Sequence, residues 1–392
     1  MTTQAILTLN GGSSSLKAAL FASTTGQPLD RLCSVHISAI GGDSQCRLEI
    51  PSKQFDQHYG LDLPNGKAAY EAGLNHVQQC INEHFPDVTV GALGHRVVHG
   101  GNLTETTEID AKTLAYLTEL TPLAPLHQGA NLALFSASTQ CWPKATHLAC
   151  CDTFFHASQP KIEQAYAIPD SWFQKGVRRY GFHGLSYGYI ASQLEALGTL
   201  NQKTVVAHLG AGASLCALQH GKSVASTMGF TATDGIPMAT RSGAIDPGVL
   251  LFLERYHQMS ASDIETLLNK ESGLLGLSGI SGDIRKLHAS QDPKAAFAIE
   301  LFCYRIASEV ARLSGAIEGL EQLVFTAGIG EHDAQVRAQV VHRCAWLGAT
   351  LDEQRNNEGN AVISTESSPV TVRVIPTDEE AYMAAEVSAY LA

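Results

Sequence analysis

The sequence lacks two features that membrane-spanning and secreted proteins carry. It has no stretch of 18 or more apolar residues, and its start, MTTQAILTLNGG, has no basic segment followed by an apolar region. A spanning helix needs about 20 mainly apolar residues, and a secretory signal peptide needs both parts of that N-terminal pattern. We therefore expect no membrane association and no secretion.

Positive charge is also scarce. The chain has 26 Lys and Arg against 38 Asp and Glu, which gives a formal net charge of −12. Proteins that bind nucleic acid usually present a basic surface. We therefore expect no nucleic-acid partner, and a small anionic ligand would need arginines gathered locally.

The nine cysteines form no C-x-x-C pair, and their number is odd. Disulfide frameworks use even sets of cysteines, and structural zinc sites use closely spaced pairs. The pattern indicates a reducing compartment, and we expect a cytoplasmic protein.

Two segments share one pattern: an apolar run, a glycine-rich turn and a second apolar run. They are AILTLNGGSSSLKAALF, residues 5–21, and TVVAHLGAGASLCAL, residues 204–218. Each predicts a β-hairpin. The likeness between them is weak, and two unrelated buried hairpins would also produce it.

The length of the chain predicts two domains with a cleft, because 392 residues exceed the size at which single hydrophobic cores stop growing. Helical patterns fill much of the remainder, the longest over 295–319. Strands that alternate with helices indicate an α/β fold. Two shorter helices are predicted near the C-terminus, one ending at Gly348.

The usual phosphate-binding motifs are incomplete. GKS at 221–223 lacks the first glycine of a Walker motif, because Cys216 stands there. Neither GAGASL nor GIGEHD completes G-x-G-x-x-G, which weakens a dinucleotide site. Any phosphate contact must therefore come from other loops.

Arg96 lies in the strand-like segment HRVVHGG, residues 95–101. A guanidinium keeps its charge and needs a partner. That partner is either a neighbouring carboxylate, in a purely structural ion pair, or an anionic ligand. His95 and His99 resemble half of a zinc motif, but the glutamate of that motif is missing.

Four other residues stand where loops meet strands or helices. His127 precedes a predicted helix, where a polar cap is the alternative; Asp152 ends an apolar run; His183 lies between glycines; and Arg241 lies in a Gly/Ser loop. Each alone has a structural explanation. Together, arginines, a histidine and a carboxylate would suit phosphoryl transfer, because the transition state spreads negative charge over oxygen atoms.

Two segments near the C-terminus complete the set of candidates. VFTAGIGEHDAQV, residues 324–336, predicts a strand, a glycine-rich turn and a helix, and suits either a nucleotide contact or a plain turn. In IPTDEE, Thr377 and Glu380 have the spacing of a capping box. Glu379 has no such structural role, and it is the better candidate for Mg²⁺, which prefers oxygen ligands.

Eleven segments in the same order resemble the acetate kinase family over nearly the whole chain. They are LNGGSSSLK, GHRVVHGG, PLAPLH, CDTFFH, RRYGFHG, HLGAGAS, STMGFT, TRSGAIDP, SGDIRKL, TAGIGEH and IPTDEE. The resemblance implies two actin-like domains with a duplicated ribonuclease-H-like core and an ATP cleft between the domains. Residues 1–151 and 377–392 would form the first domain, and residues 152–376 the second.

The resemblance also implies an activity: reversible, Mg²⁺-dependent phosphoryl transfer from ATP to acetate, giving acetyl phosphate and ADP. Mn²⁺ is an alternative metal, propionate a secondary substrate, and a homodimer the implied assembly. The competing hypotheses are a kinase for propionate or other short-chain acids, and an actin-like nucleotide switch without catalysis.

Site residues carry over by motif. The metal-organising pair corresponds to Asn10 and Glu379. The residues implied to act in catalysis are Arg96, Asp152, His183 and Arg241. Substrate binding falls to Arg96, Val98, Leu126, His127, Phe182 and Ala232. Nucleotide binding falls to Lys17, His208, Leu209, Gly210, Ala211, Gly212, Asp283, Ile284, Arg285, Gly328, Ile329, Gly330, Glu331 and His332.

The chain departs from the family pattern at several of these motifs. Ala211 replaces an asparagine beside the phosphates, Tyr187 replaces a histidine in the usual GTSH, and PLHQG replaces PLHNP. His332 ends a segment that is usually GIGEN. Ala232 stands where a proline usually lines the acyl pocket. One methylene changes binding by only about 1–3 kcal/mol, so this position bears on the acceptance of propionate.

Overall fold

The computed structural model divides the chain into two compact units. Unit 1 comprises Met1–Phe155 and Asp378–Ala392, and unit 2 comprises His156–Thr377. Asp152 was expected to begin the second domain but belongs to unit 1, because its N–H donates to the Val97 carbonyl at 3.0 Å. The structure describes residues 3–12, 15–23, 29–40, 42–64, 67–125 and 127–392.

Unit 1 is built on a mixed sheet with the strand order β5-β4-β3-β2-β1-β6-β8-β7. Neighbours from β5 to β1 pair antiparallel, whereas β1, β6 and β8 pair parallel. The first predicted hairpin is confirmed, with Asn10 opposite Lys17. The strands are β1 Thr3–Gly11, β2 Leu16–Ala22, β3 Asp30–Ser38, β4 Gln45–Ile50, β5 Phe55–Gly60, β6 Val88–Val97, β7 Thr107–Glu108 and β8 Thr146–Cys151.

Helices α1 Lys67–His84, α2 Ala111–Glu119 and α3 Gln128–Cys141 belong to unit 1. Apolar residues of α1 and α3, such as Leu74 and Leu134, join the core formed by the strands. The C-terminal helix, Glu379–Leu391, also packs on this sheet, so closely that a Cβ atom on Gly94 would lie 2.9 Å from Val387.

Unit 2 repeats part of this topology. Its strand order is β11-β10-β9-β12-β13, antiparallel from β11 to β9 and parallel from β9 to β13. The same directions run through β3-β2-β1-β6-β8 of unit 1, so the predicted duplicated α/β core and second hairpin are confirmed. The strands are β9 Thr204–Leu209, β10 Ala213–Gln219, β11 Lys222–Ser226, β12 Gln322–Thr326 and β13 Thr371–Val374.

Helices α4 to α14 belong to unit 2, and helix α15 is the C-terminal helix. The longest, α11, was predicted over 295–319; Asp292 caps it by accepting from the Lys294 N–H. The helices are α4 Lys161–Gln164, α5 Asp170–Gln174, α6 Gly184–Ala196, α7 Pro247–His257, α8 Ala261–Lys270, α9 Gly273–Ser278, α10 Ile284–His288, α11 Pro293–Ala316, α12 Ala327–His332, α13 Ala334–Arg343, α14 Glu353–Glu358 and α15 Glu379–Leu391. Short 3-10 helices occupy Pro51–Lys53, Thr121–Leu123, Phe154–Ser158 and Ala345–Leu347.

Within the described ranges, no helix combines the length and apolar character needed to cross a bilayer. All nine cysteines are free thiols, and only Cys141 among them is not fully buried.

Local predictions near the C-terminus were wrong in three places. The glycine-rich segment after β12 is helix α12 rather than a turn. Helix α13 ends at Arg343, before the glycine expected to end it. The expected capping box does not form: Asp378 caps α15 by accepting from the Ala381 N–H, while the Thr377 hydroxyl bonds Ser186.

Candidate active site

Arg96 and Asp152 form a bidentate ion pair at the ends of two parallel strands. Arg96 lies in β6 beside β8, and Asp152 directly follows β8. Nε donates to Oδ1 at 3.0 Å and Nη2 to Oδ2 at 2.8 Å. The Asp152 side chain is only 3% exposed, whereas that of Arg96 is 21% exposed. Arg96 thus has the carboxylate partner that its position in a strand demands.

Asn10 and Glu379 complete this cluster. Arg96 Nη1 donates to the Asn10 side-chain oxygen at 3.2 Å. Glu379 begins α15, and burial raises the pKa of its carboxyl, which Arg96 opposes. Burial disfavours the charged form of Arg96. The negative charges of Asp152 and Glu379 favour that form more strongly, so the pKa of the guanidinium is raised. The positive charge of Lys17, opposite Asn10 in the hairpin, also acts on Glu379.

The donor set of this cluster fits Mg²⁺. The Asn10 amide oxygen and the Glu379 carboxylate are hard ligands, and Mg²⁺ keeps several waters and needs only one or two carboxylates from a protein. The described part of the chain has no group of three or more His, Cys, Asp and Glu arranged for a metal.

Residues expected to wall the acyl group lie in both units. In unit 1, Val98 is buried and His127 is the N-cap of α3 without a capping side-chain bond. Leu126 lies outside the described residues. In unit 2, Phe182 is buried and Ala232 is half-buried.

His183 precedes α6 in a left-handed backbone conformation, with φ of 58°. Its Nδ1 lies 2.9 Å from the Ser214 hydroxyl, and its ring stacks on that of His208 with centroids 4.2 Å apart. A Cβ atom on Gly212 would lie 3.3 Å from His183 Nε2 and 3.8 Å from Arg241 Nη1. The β9–β10 turn thus brings one backbone position close to both side chains.

Arg241 lies in an irregular loop held by backbone bonds to α8 and α9. Ser242 N–H donates to Leu268, and Ser272 N–H donates to Thr240. The guanidinium is anchored by a bond from Nη1 to the Ala232 carbonyl at 3.0 Å. The residue that departs from the family pattern therefore holds this arginine through its backbone rather than its side chain.

A cavity of about 960 Å³ lies wholly within unit 2. Most of the residues predicted to bind nucleotide line it: Gly210, Ala211, Asp283, Ile284, Arg285, Gly328, Ile329 and His332. Five others from unit 2 do not: His208, Leu209, Gly212, Gly330 and Glu331. His208 stacks on His183, and Glu331 instead accepts from the Thr377 N–H at 3.1 Å.

Sequence reasoning missed several residues that hold these sites in place. Asn131 donates to the Gly11 carbonyl and accepts from Val98 N–H. Arg337, only 2% exposed, bonds the Gly330 and Glu331 carbonyls at the end of α12. Ser214 sits in an apolar run with no visible signal. The sequence offered one clue, to Asn131, which is a polar residue on a helix face that is buried.

One departure from the family pattern now has a structural explanation. Gln128 is fully buried, and its Oε1 accepts from His99 N–H at 3.1 Å. Its Nε2 donates to the His99 and Leu117 carbonyls, each at 3.0 Å. The glutamine thus satisfies the backbone next to Val98 in the absence of the usual asparagine.

Comparisons with known proteins show the family to which the chain belongs. A sequence model of the Acetokinase family matches residues 5–385. An acetate kinase of Rhodopseudomonas palustris is 44% identical over 389 residues, which is 97% of each chain. The crystal structure of Porphyromonas gingivalis acetate kinase has a TM-score of 0.85 at 33% identity, covering 99% of this chain and 100% of the other. A propionate kinase from Francisella tularensis has a TM-score of 0.88 at 34% identity, covering 98% of each. The chain therefore belongs to the acetokinase family of phosphotransferases.

Proposed function

We propose that the chain transfers the γ-phosphoryl group of ATP reversibly to acetate. A carboxylate oxygen of acetate bonds to the γ-phosphorus while the bond from that phosphorus to the β–γ bridging oxygen breaks, giving acetyl phosphate and ADP. The observation that carries the proposal is the placement of Arg96 among Asp152, Asn10 and Glu379 at the ends of β1, β6 and β8. This arrangement places a cation that can bind oxyanions beside oxygen ligands that can bind a metal.

Arg96 and Arg241 bind the acetate carboxylate and the phosphoryl oxygens. Two anions must approach each other in this reaction, so fixed cations supply much of the catalysis. The Asp152 pair holds the Arg96 fork in one orientation, and the Ala232 carbonyl does the same for Arg241. His183 stabilises the transition state from its Nε2 side, which lies near Gly212.

Mg²⁺, with Mn²⁺ as an alternative, would be held by Asn10 and Glu379. When bound, it neutralises charge on the phosphate oxygens. The cavity of unit 2 takes the nucleotide, and Gly328, which lines the cavity in the first turn of α12, offers its backbone N–H to the phosphates.

We further propose that propionate is a secondary substrate. The side chain of Ala232 is smaller than the proline usual in the family, and one structural neighbour is a propionate kinase. Because one methylene is worth about 1–3 kcal/mol, discrimination between the two acids should stay modest.

We also propose a cytoplasmic homodimer. The nine free thiols support a reducing compartment. Helix α7 has no buried residue, and it exposes Leu251, Phe252 and Tyr256, with Tyr256 76% exposed. An apolar helix face of this kind suits a second copy of the chain.

The test is acyl phosphate formation from MgATP with two-, three- and four-carbon acids, trapped as the hydroxamate. We expect acetate to give the highest kcat/KM, with propionate next. No hydroxamate at high enzyme and acetate, with nucleotide binding intact, would overturn the proposal in favour of a nucleotide switch. A clear preference for propionate would replace acetate as the main substrate.

A further inference from the structure

A buried chain of hydroxyl groups lies behind His183. The Ser214 hydroxyl lies 2.9 Å from His183 Nδ1 and 2.6 Å from the Tyr187 hydroxyl. Ser214 and Tyr187 are both fully buried. Tyr187 is one helical turn after His183 in α6, and its N–H donates to the His183 carbonyl. The two side chains therefore face Ser214 from the same side of the helix.

Resting on the function proposed above, we propose that Tyr187 is a positioning residue for His183. Its hydroxyl donates to Ser214, Ser214 donates to His183 Nδ1, and neutral His183 keeps its proton on Nε2. Tyr187 touches neither substrate nor nucleotide in this role. It acts only through Ser214.

The inventory of protons allows this direction, in which the buried Ser214 hydroxyl both accepts and donates. A tyrosine and a serine hydroxyl each have one hydrogen to donate. Burial raises the pKa of the Tyr187 phenol well above its ordinary value, so the phenol keeps that hydrogen. If the phenol donates this hydrogen in a bond to Ser214, the Ser214 hydroxyl can donate its own hydrogen to a nitrogen of the His183 ring. A neutral imidazole accepts at one nitrogen and donates at the other.

The consequence lies at the opposite side of the ring. Nε2 lies on the Gly212 side, close to the point that Arg241 Nη1 also approaches. A phosphoryl group in transfer offers only acceptor oxygens, so a hydrogen on Nε2 attracts it whereas a lone pair would repel it. Stacking on His208 fixes the plane of the ring, and the bond to Ser214 decides which nitrogen points inward.

This gives a role to a departure from the family pattern. The resemblance leads us to expect a histidine at position 187, and both tyrosine and histidine can donate a hydrogen bond. Phenylalanine has nearly the shape of tyrosine but cannot donate. The substitutions Tyr187→Phe and Tyr187→His therefore separate donation from packing.

The first readout is independent of activity. Nitrogen-15 spectra of histidine-labelled protein, with the His183 signal assigned through His183→Gln, distinguish the two neutral tautomers and the imidazolium. We expect wild-type His183 to carry its hydrogen on Nε2. In Tyr187→Phe no phenol hydrogen orients the Ser214 hydroxyl, so Ser214 can either donate to Nδ1 or accept from it, and we expect a mixture of tautomers.

The second readout is kinetic. We expect Tyr187→Phe to lower kcat about tenfold, while the KM values for MgATP and acetate change less than about twofold. Tyr187→His should return both the tautomer and kcat toward wild type. Tyr59→Phe is the matched control. Tyr59 lies on the edge strand β5 and its hydroxyl bonds His76 of α1, so its removal should leave kcat unchanged.

Each outcome decides the matter. A wild-type His183 protonated on Nδ1 or on both nitrogens would overturn the proposal, even if no variant folds. An unchanged tautomer and kcat in folded Tyr187→Phe would do the same. If wild-type protein makes no acyl phosphate but shows the expected tautomer shift, the proposed function fails and the hydroxyl chain stands.

Discussion

Replacing Arg96 separates a structural ion pair from a catalytic cation. Arg96→Ala removes two charge-assisted bonds to Asp152, of 3.0 and 2.8 Å, and one bond to Asn10 of 3.2 Å. The substitution leaves the Asp152 carboxylate without its partner and close to Glu379, although the Asp152 side chain is only 3% exposed. The variant should therefore lose both stability and activity.

The two losses have different sizes and causes. Breaking a buried ion pair costs about 3–5 kcal/mol, because one charge is left uncompensated. Since the Arg96 side chain is 21% exposed, water replaces part of the interaction, and we expect about 2–3 kcal/mol from urea unfolding. Loss of transition-state charge stabilisation should lower kcat/KM for acetate by roughly 10²-fold or more.

A double variant tells the two roles apart. Asp152→Asn added to Arg96→Ala removes the stranded charge, so most of the lost stability should return. The hydroxamate rate should not return, because no guanidinium is left to bind oxyanions. Arg96→Lys keeps the charge but not the bidentate fork, and should stay well below wild type in kcat/KM.

Two results would refute this reasoning. If the double variant regains activity together with stability, Arg96 has only a structural role. If Arg96→Ala lowers kcat/KM tenfold or less in folded protein, the guanidinium does not stabilise the transition state.

Three further variants test other parts of the structure. Gly212→Ala puts a Cβ atom 3.3 Å from His183 Nε2 and should lower kcat at least about tenfold. The control Gly315→Ala, whose new Cβ atom would have nothing within 4 Å, should leave kcat unchanged. Hydroxamate rates that fall equally in the two variants would contradict this. Burial and His147 lower the pKa of His95 to about 3, so the folded state binds fewer protons than the unfolded state between that value and the ordinary 6.5. Stability should therefore fall by about 1 kcal/mol between pH 6.5 and 5.5 because of His95, as measured by urea unfolding. His95→Phe should remove that slope and the exposed control His58→Phe should keep it; equal slopes would be inconsistent with a neutral buried His95. Phe252→Glu on α7 should yield monomers in sedimentation, and an unchanged mass would exclude this face as the interface.

Local patterns were enough to predict the elements that hold the candidate site. The hairpins at 5–21 and 204–218 follow from apolar runs around glycine-rich turns, and α11 follows from its helical periodicity. The sequence also placed Asp152 correctly at the end of a strand. These features depend on residues close together in the chain.

Contacts between distant segments could not be read in the same way. The Arg96–Asp152 pair depends on the parallel register of β6 and β8, which residues 98–145 separate. The cap of α15 is Asp378 rather than Thr377, and the Asp378 carboxylate also accepts from Arg31 at 2.7 Å. Arg31 is far from Asp378 in the chain, as Arg96 is from Asp152, and a rule based on local spacing includes neither pair.

The resemblance supplied residues but not their surroundings. It marked position 187 as a departure, yet only the structure shows that the Tyr187 hydroxyl meets Ser214. It likewise included Glu331 among nucleotide residues, whereas its carboxylate accepts from the Thr377 backbone. Hydrogen-bond partners of buried groups depend on packing that a motif does not encode.

Phosphorus NMR of wild-type protein with MgATP, with and without acetate, tests the phosphoryl transfer most directly. We expect the γ-phosphate signal of ATP to be replaced by those of acetyl phosphate and ADP only when acetate is present. Adding ADP to acetyl phosphate should restore ATP. Release of inorganic phosphate at the same rate with and without acetate, and no acetyl phosphate signal, would contradict the proposed function.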